Sequence, residues 1–423
     1  GDVYKRQPEG CHWNDVRERA ENLGAAIVGA MRGIELANPD TLYGVLSMFS
    51  AQKWTDKKML NDGIIRNLIE HLSTKRLGNK DYPADLMGDA YEILLKKFAD
   101  DSKAKAGEFY TPRTVVSLLI RILDPQPGET VYDPACGSGG MLIEAVHHMH
   151  HDNLCCGAIF GQEKNVINAA IAKMNLFLHG ASDFNVMQGD TLREPKILQN
   201  GAIAKFDCVI ANPPFSLKSW GATEWASDKY DRNRWGTPSD KCGDYAWIQH
   251  MVCSMVPGKG RMAVVMPQGI LFRGSEEGRI RTELVKSDLI EAVVTLGEKL
   301  FYGTGLSPCF LILRRIKPAA HSARILMIDG TKILTVQRAQ NILTDDNLQQ
   351  LYELYTNYEN VEDFAQVVTL DEVAKKDYDL SPNKYVQYHK EAVRPYAEVM
   401  AEFEAAYQEV IRCEQEFASL INA

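Results

Sequence analysis

From about residue 101 to 330, short apolar runs alternate with amphipathic stretches, and nothing else in the chain limits its fold as strongly. The runs Thr130–Tyr132, Ala158–Gln162, Asn185–Gln188, Asp207–Ala211, Arg261–Met266, Leu289–Thr295 and Cys309–Arg314 predict strands. Met141–His148 and Val166–Leu178 predict helices between them. Strands that alternate with helices build a mostly parallel sheet covered on both faces, because each crossover lays its helix across the sheet. The expected class is therefore α/β, with ligands at the carboxyl ends of the strands.

The flanks read differently. In residues 1–100, Ile64, Leu68, Ile69 and Leu72, then Leu86, Ala90, Ile93, Leu94 and Phe98, recur at helical spacing. From about residue 331 the chain turns helical and charged. Its last stretch, Glu391 to Leu420, carries Val399, Met400, Phe403, Tyr407, Val410 and Ile411 on one stripe. Such a helix fits pairing with another chain as well as lying on its own domain. A chain of 423 residues exceeds one compact domain. The expected division is a helical region over 1–100, a core over 101–335 and a helical, partner-binding region over 336–423.

Composition removes several classes. Hydrophobic residues make up 45% and charged residues 24%, a globular balance that excludes extended disorder. No apolar run reaches the roughly 18 residues of a membrane span, and the N-terminus lacks a secretory signal pattern. The chain begins at Gly1 rather than Met, so a fragment lacking its natural start is expected. Nine cysteines fall mostly in apolar runs without paired C-x-x-C spacing, and the adjacent Cys155-Cys156 cannot form a zinc knuckle by itself. Reduced thiols in a cytoplasmic protein are the expectation, with no metal site. A net charge of −9 means that any grip on nucleic acid is local or comes from a partner.

The segment Val131-Tyr132-Asp133-Pro134-Ala135-Cys136-Gly137-Ser138-Gly139-Gly140 is a strand ending in an acid, then a Gly-rich turn that opens a helix. A dinucleotide site favours G-x-G-x-x-G without an acid and proline in front. An acid followed by Gly-x-Gly suits a ligand with an ammonium group and no phosphate, as in the methionine part of S-adenosylmethionine. A plain strand-to-helix turn has the same look. Glu163 and Asp190 close the next two runs, where a carboxylate can bind ribose hydroxyls or an adenine amino group. Acids at three successive strand ends fit a nucleoside cofactor better than chance surface charge. Upstream, Gly107-Glu108-Phe109-Tyr110-Thr111-Pro112-Arg113 reads as a helix start with Thr111 as cap and Pro112 at the first helical position. The free amides there can also hold the cofactor's carboxylate.

The strand Asp207–Ala211 runs into Asn212-Pro213-Pro214-Phe215. Two prolines remove amide donors and stiffen the turn, leaving the Asn212 side-chain oxygen and the Pro213 carbonyl as fixed acceptors. Aimed at one planar amino group, they bind both its hydrogens and build electron density on nitrogen as it attacks a sulfonium methyl. Phe215 can stack on a base flipped out of a duplex. A tight Pro-Pro loop is the plainer alternative.

Phe109-Tyr110-Thr111-Pro112, Asp133–Gly140, Glu163, Asp190 and Asn212–Phe215, in this order, resemble the amino-methyltransferases that act on adenine in DNA. The likeness to modification subunits of type I restriction–modification systems continues through Asp244-Tyr245-Ala246-Trp247, Gly260–Phe272 and Phe301-Tyr302-Gly303-Thr304-Gly305, and ends at Tyr378-Asp379-Leu380-Ser381-Pro382-Asn383-Lys384-Tyr385. The resemblance implies a Rossmann-like S-adenosylmethionine-dependent methyltransferase core with helical additions at both ends. Glu108, Phe109, Tyr110, Thr111, Pro112, Arg113, Asp133, Ala135, Cys136, Gly137, Ser138, Gly139, Glu163 and Asp190 would line the cofactor pocket. Asn212, Pro213, Pro214 and Phe215 would hold the target adenine. Implied partners are double-stranded DNA, a specificity subunit and a second copy of the chain, with a restriction subunit able to join. The N-terminal helical region looks shorter than the family's, and Leu296-Gly297 stands where relatives commonly have Leu-Pro, a change expected to be minor.

Two other functions share these residues. A glutamine amide in a protein presents a similar amino group to the same loop, and a silent scaffold would bind partners only. A basic, aromatic stretch, Lys218, Trp220, Lys229, Arg232, Arg234 and Trp235, is expected to touch DNA or to be a solvated loop.

Overall fold

A computed structural model of the chain describes residues 6–42, 44–46, 54–75, 93, 111–149, 157–181, 183–301, 307–337, 340–389 and 395–421. Outside them lie Glu108, Phe109, Tyr110, Cys155-Cys156, Tyr302–Gly305 and, apart from Ile93, the helix expected across 86–98.

The strands are β1 (Val131–Asp133), β2 (Ile159–Glu163), β3 (Phe184–Gln188), β4 (Cys208–Ala211), β5 (Arg261–Pro267), β6 (Ile290–Leu296), β7 (Pro308–Arg314), β8 (Arg324–Gly330) and β9 (Ala365–Thr369). They form one nine-stranded sheet in the order β9-β8-β6-β7-β5-β4-β1-β2-β3. Neighbours from β3 to β5 are parallel, as are β6 and β8. β7 runs antiparallel between β5 and β6, and β9 runs antiparallel on the edge beside β8. The expected α/β, Rossmann-like sheet is thus present, and each strand read from the apolar runs lies within a residue of its expected bounds. The stretch after residue 331 is not helical throughout, since β9 lies inside it.

The central strands β4, β5, β6 and β7 are buried at nearly every position because both faces are covered. On β5, Ala263 and Val265 point into one core, Met262, Val264 and Met266 into the other. The first core is filled by α4 (Arg113–Leu123), α5 (Gly140–Met149), α6 (Val166–Leu178) and α9 (Asp345–Asn357). The second is filled by α7 (Asp244–Ser254), α8 (Ser275–Lys286) and the indoles of Trp220 and Trp225. A smaller cluster joins α1 (Trp13–Arg17), α2 (Leu23–Ala37) and α3 (Asp62–Leu72) through Val16, Leu23, Ala30, Ile65 and Ile69.

Two compact units divide the chain, Gly1–Val386 and Gln387–Ala423. The second holds α10 (Tyr396–Ile421), whose Tyr396, Phe403, Tyr407, Val410 and Phe417 are exposed. Among the described residues no helix is long and apolar enough to cross a membrane.

Candidate active site

The order β3-β2-β1-β4 sets a switch point between β1 and β4, where the chain leaves one side of β1 and resumes on the other. In such sheets the crevice for ligands opens at the carboxyl ends beside that point. Asp133 ends β1, Glu163 ends β2, Asp190 follows β3 and Asn212 follows β4. The sheet therefore brings all four to one edge.

Asp133 is only 2% exposed. Among the described residues it accepts one hydrogen bond, from the Ala135 amide at 2.9 Å. Burial pushes its carboxyl up to about 8 against that amide, and the neighbouring Glu163 carboxylate pushes the same way. Glu163 accepts the Gly137 amide at 3.0 Å and the Asn165 amide at 2.7 Å, so it ties the glycine turn to the start of α6. Burial raises its carboxyl too.

Between these acids, Cys136 donates its amide to Gln162 O, and Gly139 donates to Cys136 O. The Ser138 carbonyl accepts from Asn175 Nδ2 of α6 at 2.8 Å. Gly139 has φ +86°, and a Cβ there would sit 3.3 Å from Ala172 of α6, so both its conformation and its packing need glycine. Ala135 is half-buried, and the buried Cys136 thiol is held protonated by desolvation. Asp190 is paired with Lys164, Nζ to Oδ2 2.9 Å.

Asn212 sits half-buried at the end of β4, with Pro213 buried and Pro214 and Phe215 half-buried behind it. Its Nδ2 donates to Thr111 Oγ1 at 2.8 Å. Among the described residues its Oδ1 is buried with no partner. A buried, unpaired amide oxygen costs free energy unless a ligand supplies the donor. The Phe215 ring lies 6.5 Å from Phe301, tilted by 55°.

This geometry fits S-adenosylmethionine: among the described residues Asp133 has no cation, which the cofactor's ammonium would supply, and the site lies on the same sheet edge as an Asn212 oxygen that has no donor among them. The profile of the N-6 DNA Methylase family matches residues 83–393. The chain belongs to that family. It is 36% identical to the type I restriction enzyme MjaVII methylase subunit of Methanocaldococcus jannaschii over 77% of the chain and 57% of the relative. With the HindI methylase subunit of Haemophilus influenzae it shares 30% identity over 94% of the chain and 87% of the relative. The solved methyltransferase subunit of a type I restriction–modification system from Streptococcus thermophilus superposes with a TM-score of 0.75 at 27% identity, over 91% of this chain and 82% of that one. The chain spans 57% and 65% of the length of the first two archaeal relatives it matches.

Three expectations for this N-6 DNA Methylase member need correction. Thr111 does not cap α4: Pro112 is the N-cap residue, without a side-chain cap, and the Thr111 hydroxyl faces Asn212 instead. Arg113, exposed, opens the helix. Arg232 is no DNA contact either, being 2% exposed. It pairs with Asp228 at 2.7 Å, lies over Trp225 at 4.3 Å and donates to the carbonyls of Thr191 and Leu192. It ties the loop to the segment just after Asp190. Trp220 is buried with it, donating to Ser239 O at 2.9 Å, which leaves Lys218, Lys229 and Arg234 exposed. Gly297 is a tight position: a Cβ would lie 2.2 Å from Leu334 Cδ2 and 2.8 Å from Thr331 O, so a proline there requires the 331–334 turn to move.

Asp244 is a functional neighbour that residue patterns gave no role. Fully buried at the start of α7, it accepts the Ser216 amide at 2.7 Å and so braces the residue after Phe215, where φ is +50°. Cys242, Asp244 and Glu277 approach one another within 4.8 Å, as metal ligands do. The Arg273 guanidinium already lies among them, 2.9 Å from Asp244, 3.1 Å from Cys242 Sγ and 3.4 Å from Glu277.

Proposed function

We propose that this chain is a site-specific DNA adenine N6-methyltransferase that uses S-adenosylmethionine and serves as the modification subunit of a type I restriction–modification complex. The buried Asn212 oxygen, without a donor among the described residues, on the same sheet edge as an Asp133 that has no cation among them, carries the reading. The similarity to methylase subunits of type I restriction enzymes supports the same assignment.

S-adenosylmethionine supplies a methyl group on an electrophilic sulfonium. The chain's part is binding and orientation. Asp133 accepts the ammonium, Glu163 the ribose hydroxyls and Asp190 the adenine amino group, with Ala135, Cys136, Gly137, Ser138 and Gly139 as the floor. The start of α4 at Pro112 and Arg113 would border the cofactor. Asn212 Oδ1 and the Pro213 carbonyl accept the two hydrogens of the target's exocyclic amino group, while Pro214 stiffens the turn and Phe215 stacks on the flipped base. Held so, the nitrogen keeps its electron density toward the methyl group. Once methylated it sheds one proton to water, and no strong base is needed.

Residues 101–335 carry this chemistry, with 1–100 and 336–423 as additions for docking, the latter including the edge strand β9. Double-stranded DNA, a specificity subunit, a second copy of the chain and a restriction subunit are the proposed partners. The exposed Lys218, Lys229 and Arg234 supply local positive charge. The free thiols of the described cysteines support a reducing, cytoplasmic setting. The test is tritiated-methyl transfer by the assembled complex to DNA and to protein. Label in N6-methyladenine supports the reading, while label in protein glutamine, or in neither, overturns it.

A further inference from the structure

The bond between Asn212 and Thr111 joins residues 101 positions apart, the end of β4 and the entry to α4. A side-chain amide can turn over by half a rotation at little cost, because its oxygen and nitrogen differ little in shape. The two orientations are opposite in chemistry. With Oδ1 toward the crevice the loop offers acceptors to an amino group; with Nδ2 there it offers donors to donors. Here Nδ2 faces Thr111 Oγ1 at 2.8 Å and Oδ1 is the buried atom left without a partner.

The threonine is well placed to hold that choice. α4 behind it is anchored by Val115, Leu118 and Leu119, all 0% exposed. Among the described residues the bond its hydroxyl makes is the one from Asn212 Nδ2. We infer that Thr111 is a positioning residue whose hydroxyl, accepting from Nδ2, anchors the Asn212 side chain at the entry to α4, so that its oxygen meets the substrate amino group. This deepens the adenine methyltransferase reading and rests on it. It also departs from the expectation that Thr111 mainly holds the cofactor's carboxylate, and the two roles differ in what they move.

The experiment compares Thr111→Val, Thr111→Ser and Thr111→Ala in the assembled complex, with kcat for DNA methylation at saturating cofactor and the cofactor Kd measured separately. Thr111→Val lowers kcat on the order of 100-fold, the scale of a displaced reacting group, with the cofactor Kd changed by less than about threefold. Thr111→Ser restores kcat to within a few-fold of the parent. In an Asn212→Ala background Thr111→Val has no further effect. A valine variant with normal kcat but a much weaker cofactor Kd overturns the inference, as does a serine variant as slow as the valine one. Should valine disturb folding, Thr111→Ala gives the same comparison with a smaller side chain. A parent complex inert on DNA overturns the methyltransferase reading and this inference together, whereas an active parent with an unimpaired valine variant overturns this inference alone.

Discussion

Two buried acids, one in each half of the sheet, show how this molecule separates structure from chemistry. Glu291, on β6, is 2% exposed and fully engaged: Arg314 Nε donates to it, the Tyr355 hydroxyl donates at 2.7 Å, and His321 Nδ1 lies at 3.3 Å. Asp133, on β1, is equally buried and has one amide. The first sits near the amino end of its strand, the second at the carboxyl end beside the switch point. A satisfied acid holds helix α9 and the β7 strand together. An acid with a single amide partner among the described residues is suited to a cationic ligand, which would offset the cost of its burial.

The comparison breaks most visibly at Glu291. Its replacement by alanine leaves Arg314 without its carboxylate and costs about 3–5 kcal/mol, read as a shifted denaturant midpoint. Asn212→Ala comes next, lowering methyl transfer about 10²–10³-fold, or roughly 3–4 kcal/mol of barrier, while equilibrium dialysis finds cofactor binding nearly unchanged. Asp133→Asn sharpens the contrast. It leaves the free protein as stable or more so, in a thermal melt, yet weakens cofactor binding about 10- to 100-fold.

The same carboxyl has a pH signature. It titrates at about 8 in the folded chain against about 3.9 unfolded. The free protein therefore loses stability as pH rises between those values. A cationic ligand selects the ionised form, so its affinity at this carboxyl rises over that range and levels off near 8. Calorimetry at pH 7 in buffers of differing ionisation enthalpy should find about one proton released on binding, and none in the asparagine variant. The smallest effect belongs to the rim: Arg234→Ala should reduce the salt slope of DNA binding by about one, with stability unaltered. Arg232→Ala, by contrast, should be destabilising, because its buried charge pairs inside the loop.

Much of the sheet was legible in the residues. β5 and β7 sit buried on both faces, so they read as unbroken apolar runs that no surface pattern imitates. β9 was not legible: a half-exposed edge strand of mixed composition, Ala365–Thr369, has neither a continuous run nor strict alternation. Asn212–Phe215 and the Asp133 turn stand out because their chemistry is written in adjacent residues. Thr111–Asn212 and Ser216–Asp244 do not, since each bond spans the fold and leaves no local pattern. Arg232 misleads for a related reason. In a polar, tryptophan-containing stretch a buried arginine and a solvated one are spelled alike, and only the distant Thr191 and Leu192 carbonyls distinguish them.

Burial raises the affinity of both Asp133 and Glu163 for protons, and the Glu163 carboxylate adds to the effect at Asp133. With S-adenosylmethionine as donor, that shared negative potential holds a sulfonium-bearing molecule more firmly than the uncharged thioether left after transfer. On the proposed reading the same acids would favour the charged donor over its spent form, so turnover would draw part of its direction from a change of charge rather than of shape.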